Sequence, residues 1–200
     1  MASARFAQIR AIALEAMYSR GYKDTTLRAI AREMGLQAPS LYNHFTSKQE
    51  LLLRIMDSIM RELIHSTRSA LATIGPSPVE RLHAAIEVFV TFNLHHPHEA
   101  AVSDAEFRSL TPENRACIVR LRQEFQEIFD PLIEEGIAQG VFSPTDVPIT
   151  RNVILSACAR TYMWYRPDGR RDAAEVATSV ADYLVQGLLI GSHASIIAHG

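Results

Sequence analysis

The chain is poor in several things that would have announced a function. It has 2 cysteines in 200 residues, Cys117 and Cys158. That is too few for a disulfide framework or a cysteine-built zinc site, and it suits a reducing compartment. It has no excess of either charge: 20 Lys and Arg stand against 22 Asp and Glu, net −2. A uniformly basic nucleic-acid coat is thereby excluded. No apolar run is long enough to cross a bilayer. Arg5, Arg10 and Glu15 interrupt the apolar stretch that a secretory signal needs, so a cytoplasmic protein is expected. The longest stretch free of Asp, Glu, Lys and Arg, residues 183–200, contains Gln186, Ser192, His193 and three glycines. It reads as a helix end followed by a loose tail. Also missing are strand-like alternation, internal repeats, a nucleophile elbow, a Gly-rich phosphate loop, an HExxH pair and a credible carboxylate pair. No enzyme, cofactor or metal site is expected. The triplet His95, His96 and His98 around Pro97 lacks companion ligands and reads as a helix end.

What is present is helix. Hydrophobic residues make up 48% and charged residues 21%, ordinary for a folded chain. Phe6, Ile9, Ala13, Ala16 and Met17 share one face of a helix over 3–20, which Gly21 stops. Leu27, Ile30, Ala31 and Met34 mark a second helix over 26–34, stopped by Gly35. A third, short helix fits 38–44, with Pro39 in its first turn. Ser47 and Glu50 form a capping box that opens a helix to about residue 74. Ser77-Pro78-Val79-Glu80 opens another, which reaches His95 and ends before Pro97. Thr111-Pro112 opens a helix carrying Ile118, Leu121, Phe125, Phe129 and Ile133. Residues 148–165 read as helix, and Asp172 caps the last one. The expectation is an all-α fold of about nine helices.

The near-neutral charge is an average. Residues 1–50 hold seven basic side chains (Arg5, Arg10, Arg20, Lys23, Arg28, Arg32, Lys48) and four acidic ones (Glu15, Asp24, Glu33, Glu50). Residues 51–200 hold 13 basic and 18 acidic. The basic excess falls on the segment that contains the helix, Gly-containing turn and helix of residues 25–45. In that stretch Leu27, Ile30, Ala31, Leu36, Leu41 and Phe45 are the apolar set. Gln37, Pro39, Ser40, Tyr42, Asn43 and His44 are left to face solvent. These small or hydrogen-bonding groups suit phosphates and base edges.

The first 50 residues resemble the DNA-binding domain of the TetR family of bacterial transcriptional regulators. The likeness is carried by Gly21-Tyr22, Thr25-Thr26-Leu27, Ile30-Ala31, Gly35, Ser40 to Phe45, Ser47-Lys48 and Leu51-Leu52. It implies an N-terminal three-helix helix-turn-helix domain over 1–50 and a helical ligand-binding and dimerisation domain over 51–200. The function implied is a ligand-responsive regulator, a repressor released from a pseudo-palindromic double-stranded operator. By position, Thr26, Tyr42, His44 and Lys48 would hold phosphates, and Gln37, Pro39, Ser40 and Asn43 would read bases. Arg28 would reach backbone or base. The last two helices would form the homodimer seam, with Ala157, Ala159, Ala173, Ala174, Ala177, Ala181 and Gly187 allowing close approach. Val180, Leu184 and Leu188 would supply its apolar contact. A pocket between the middle helices would be lined from Phe89, Phe92, Phe107, Leu121, Phe125, Phe129 and Tyr162, residues that could equally fill a core.

The run Ala159 to Gly169 is similar to a subset of the family linked to lipid and steroid breakdown, which implies a small hydrophobic or acyl-CoA-type effector. There Arg160 and Trp164, one helical turn apart, would grip a CoA phosphate and stack on a ring. Their alternative is a cation–π pair that pins the helix end. Two other functions stay open at this point: a helical acyl-CoA-binding enzyme without a DNA role, and a non-specific nucleic-acid binder, which the small basic excess disfavours.

Overall fold

The structure is a computed structural model, and it describes residues 2–143 and 146–190. The tail expected after the last helix lies outside the described residues from 191 on. The elements are α1 (Ala2–Asp24), α2 (Leu27–Glu33), α3 (Ala38–Tyr42), α4 (Lys48–Leu71), α5 (Pro78–His95) and α6 (Pro97–Ala105). A 3₁₀ turn (Phe107–Ser109) leads to α7 (Pro112–Gln126), α8 (Phe129–Ala138) and α9 (Val147–Ala159). A second 3₁₀ turn (Thr161–Met163) precedes α10 (Ala173–Gln186). The all-α expectation holds. Pairing outside helices among the described residues is a single antiparallel bridge between Phe142 and Leu189.

The chain divides into two units: residues 1–61 with 97–121, and residues 62–96 with 122–200. In the first unit, α1 buries Ile9, Ala13, Leu14, Ala16 and Met17. Gly21 leaves the helical conformation with φ 81°, a left-handed value that a side chain would resist. Thr26 then caps α2, its hydroxyl oxygen accepting from the Ala29 N–H at 3.1 Å. The cap on α4 is displaced from the expected reciprocal box. Ser47 does accept from the Glu50 N–H at 3.1 Å, but the Glu50 carboxylate turns to Thr46, taking its N–H at 2.7 Å and its hydroxyl at 2.8 Å.

The second unit packs α5 against α8, α9 and α10. Leu82, Ala85, Ile86 and Val90 of α5 are fully buried. Asp172 and Glu175 form the full capping box that opens α10.

Three expectations are corrected here. The helix predicted from Thr111 onward is two helices, α7 and α8. Pro131 has no N–H for the carbonyl four residues back, and its ring crowds that carbonyl, so the chain breaks at Glu127–Ile128. The helix predicted over 148–165 ends at Ala159 and tightens into the 3₁₀ turn. Pro97 ends α5 as its chemistry requires but also opens α6, since proline is at home in a first turn.

Candidate nucleic-acid interface

Helix α3 has five residues, too short to persist alone in water. Two buried side chains hold it: Leu41 at 0% exposure and, just beyond it, Phe45 at 1%. The Leu36 N–H donates to the Ala31 carbonyl at 2.8 Å and closes the turn behind α2. This backing turns the rest of the helix outward. Gln37, Pro39, Tyr42, Asn43 and His44 are exposed, with Ser40 partly so. Arg28 is exposed on α2. The expected base-reading set therefore shares one short exposed segment. The Arg54 guanidinium lies 5.1 Å from the Phe45 ring centre and donates to the His44 carbonyl at 3.3 Å, fastening the end of α3 to α4.

Lys48 is engaged otherwise than expected. Its ammonium donates to the carbonyls of Tyr22 at 2.7 Å and Lys23 at 3.1 Å, and sits 4.2 Å from the centre of the Tyr22 ring. It caps the end of α1 and fixes the start of α4 there.

Sequence reasoning missed a polar hub behind this surface. The Gln49 amide donates to the Tyr22 hydroxyl at 2.9 Å and to the Ser109 carbonyl at 2.6 Å, and its oxygen accepts from the Thr111 N–H at 3.1 Å. The Glu106 carboxylate accepts from the Tyr22 N–H at 3.0 Å and from the Ser109 hydroxyl at 2.7 Å. Burial pushes the Tyr22 phenol above its ordinary pKa, the Gln49 amide opposes that, and the Glu106 charge adds to it. Nearby, His98 of α6 stacks on Tyr18 at 3.9 Å and lies 3.1 Å from the Glu15 carboxylate.

Of the expected pocket residues, Leu121 and Phe125 lie one turn apart on α7 and both are buried. Phe107 and Leu121 belong to the first unit, where the Arg115 guanidinium sits 5.8 Å from the Phe107 ring centre. In the second unit Phe125 meets Phe89 and Phe129 edge-on at 5.0 and 5.4 Å, as core. Phe92 lines an open groove of ≈ 520 Å³ between α4, α5 and α10, with Glu62, Glu87, His95, Ala174 and Thr178. Among the described residues no Lys or Arg lines it. Arg160 and Trp164 do not share an α-helical face, because α9 stops at Ala159; Trp164 is 55% exposed and Tyr162 partly buried.

The small residues of α10 are corrected too. Ala173, Ala177 and Ala181 are buried within the single chain, where α10 packs on α5, and are not available to a seam. Exposed apolar side chains are Ile149 and Val153 on α9 and Tyr183 on α10, where Val180 and Leu184 are half-buried. Among the described residues no three His, Cys, Asp or Glu side chains cluster as for a metal, and no helix is long and apolar enough to cross a membrane.

Comparison with known proteins agrees with this layout. Residues 9–55 match the model for bacterial regulatory proteins of the tetR family. Residues 75–188 match the tetracyclin repressor-like C-terminal domain. The transcriptional repressor KstR2 of Rhodococcus jostii strain RHA1 is 28% identical over 192 residues, covering 93% of this chain and 92% of that one. A tetR-family regulatory protein from Rhodococcus RHA1 superposes with a TM-score of 0.84 at 27% identity, over 92% of this chain and 96% of that one. AibR, solved in complex with isovaleryl coenzyme A and operator DNA, superposes with a TM-score of 0.80 at 26% identity, over 92% and 98% of the two chains. A C-terminal match over more than half the chain, an N-terminal match on the helix-turn-helix and a common fold lead to one conclusion: the chain belongs to the TetR family of bacterial regulatory proteins.

Proposed function

We propose that this chain is a dimeric, ligand-responsive repressor. Two copies join through the exposed face of α9 and α10, and each sets its α3 into a major groove of a pseudo-palindromic operator. The two grooves lie about 34–36 Å apart, one turn of DNA. The observation that carries this reading is the five-residue α3, pinned by Leu41 and Phe45 so that Gln37, Pro39, Ser40, Tyr42, Asn43 and His44 share one outward segment. Asn43 pairs with adenine, and Gln37, Pro39 and Ser40 line the remaining base edges. Tyr42, His44 and Arg28 hold phosphates on the flanks. Thr26 and Lys48 act first as caps, with any phosphate contact added to that.

The reading function lies in residues 1–50, and effector and dimer functions in 51–200. The effector is a small hydrophobic or acyl-CoA-type molecule that shifts the dimer to a spacing the operator does not fit. AibR, solved in complex with isovaleryl coenzyme A and operator DNA, supports the acyl-CoA class. The groove beside Phe92, with two carboxylates and no Lys or Arg among the described residues, suits the acyl part and not the phosphates. Arg160 and Trp164 remain the candidates for the charged end. We read the chain as non-catalytic. Gel-shift of the DNA upstream of its own gene, with and without a panel of acyl-CoAs, tests the proposal. A shift relieved by one thioester is expected; no binding to any neighbouring promoter fragment overturns it.

A further inference from the structure

Gln49 is the second residue of α4 and lies off the α3 surface. A glutamine amide has two donors and one acceptor oxygen, and all three functions are used: on Tyr22, Ser109 and Thr111. Glu106 binds two of the same residues from the other side, Tyr22 and Ser109. Gln49 reaches 27, 60 and 62 residues along the chain, and Glu106 reaches 84. Helix propensity could therefore not produce this arrangement. It joins the end of α1, from which the chain enters α2, to the start of α4 and to the link between α6 and α7. Apolar packing is non-directional and leaves such elements free to slide, whereas five hydrogen bonds on one part-buried hub fix their register. A polar hub is costly when half-made, which makes its geometry nearly all-or-none.

We infer that Gln49, with Glu106, is a positioning pair that locks segment 97–121 onto the helix-turn-helix, so that the pose of α2 and α3 follows that segment. This rests on the DNA-binding reading above. The chain enters the segment from the second unit at Pro97 and returns to it after Leu121.

Gln49→Leu keeps a side chain of similar bulk, one bond shorter, and removes all three hydrogen bonds. Its binding is measured to a duplex carrying both half-sites and to one carrying a single half-site, with thermal unfolding alongside. A single half-site needs one intact α3, and the full operator also needs two α3 helices at a fixed pose. The half-site affinity is therefore expected to stay at the wild-type level, and full-operator affinity to fall about tenfold, the scale of one or two lost net hydrogen bonds. Glu106→Ala should do the same, and Glu106→Gln, which still accepts from the Tyr22 N–H, should restore full-operator binding. The Glu106 pair carries the test if Gln49→Leu does not fold. Parallel loss on both duplexes, which is a merely structural role, overturns the inference, and so does unchanged full-operator binding. Failure of the wild-type chain to bind any operator overturns the DNA-binding reading and this inference together.

Discussion

Helices α3 and α10 both show solvent a face, and the two faces are made of opposite materials. On α3 the outward groups are Gln37, Pro39, Tyr42, Asn43 and His44, backed by Leu41 and Phe45. On α9 and α10 they are Ile149 at 63% exposure, Val153 at 58% and Tyr183 at 77%. Surfaces that read DNA are polar and wet, and surfaces that hold obligate dimers resemble a core cut in half. Each face thus fits one partner class and is a poor fit for the other. The contrast also lies in what is underneath. The α3 face is backed by two buried side chains, Leu41 and Phe45, and the α10 face by an alanine stripe that packs on α5.

The largest test of that contrast puts a charge on the apolar face. Val153→Arg leaves the single chain folded, since Val153 is already exposed. In a dimer it would bury an unpaired cation in each copy, at several kcal/mol apiece. Sedimentation should show a folded monomer with circular dichroism unchanged. A variant that stays dimeric shows that the α9 face is not the seam.

Next in size is a deletion beneath the surface of the second unit. Phe129 is 0% exposed and packs edge-on against Phe125. Phe129→Ala should cost about 3–5 kcal/mol in denaturant unfolding. A loss under about 1 kcal/mol would mean that Phe129 faces a pocket with room to relax, as the alternative reading of that aromatic run would have it.

On the polar face the effects are smaller but differ in kind. Asn43→Ala should relax preference at one base position by about 1–3 kcal/mol. Arg28→Ala should weaken all sequences alike and reduce the salt slope by about one. Competition binding against operators altered one base pair at a time separates the two. If Asn43→Ala weakens every sequence equally, Asn43 touches backbone and the base-reading assignment is wrong.

These differences track what could be read from the sequence. Caps and periodicity are local, so Thr26, Ser77 and Asp172 announced their helices, and the α2–turn–α3 segment could be placed with its outward residues. Pro131 was legible in principle, as a proline inside a helical pattern, but the continuing apolar spacing through Phe125, Phe129 and Ile133 hid it. The alanines at 173, 177 and 181 read as seam residues, but a small residue suits an internal helix contact equally well, and they pack on α5 instead. The hub of Gln49, Tyr22 and Glu106 left no local signal at all. Four of its five bonds span 27 to 84 residues, and nothing in the periodicity of α4 distinguishes Gln49 from a solvated residue. For the same reason Lys48 read as a phosphate donor, when its ammonium finds the carbonyls of Tyr22 and Lys23.

The smallest expected effect concerns the joint between the two helices at the foot of the head. Hydrogen bonds from the Thr46 N–H and hydroxyl favour the ionised Glu50 carboxylate, Arg54 at 3.9 Å adds slightly, and the pKa falls below its ordinary 4.5. A carboxylate with a depressed folded pKa contributes stability that is complete above the unfolded value and is lost as pH falls through the folded one. Glu50→Gln should therefore lower the melting temperature at pH 7, by less than the roughly 1 kcal/mol of a typical helix cap because the group is largely solvated. Below pH 4.5 the gap to wild type should narrow. Gln still offers Thr46 a carbonyl oxygen, so what narrows is the charge contribution alone. A gap that stays constant down to acid pH would mean that the Glu50 charge adds nothing to the cap, and that Ser47 alone holds the start of α4.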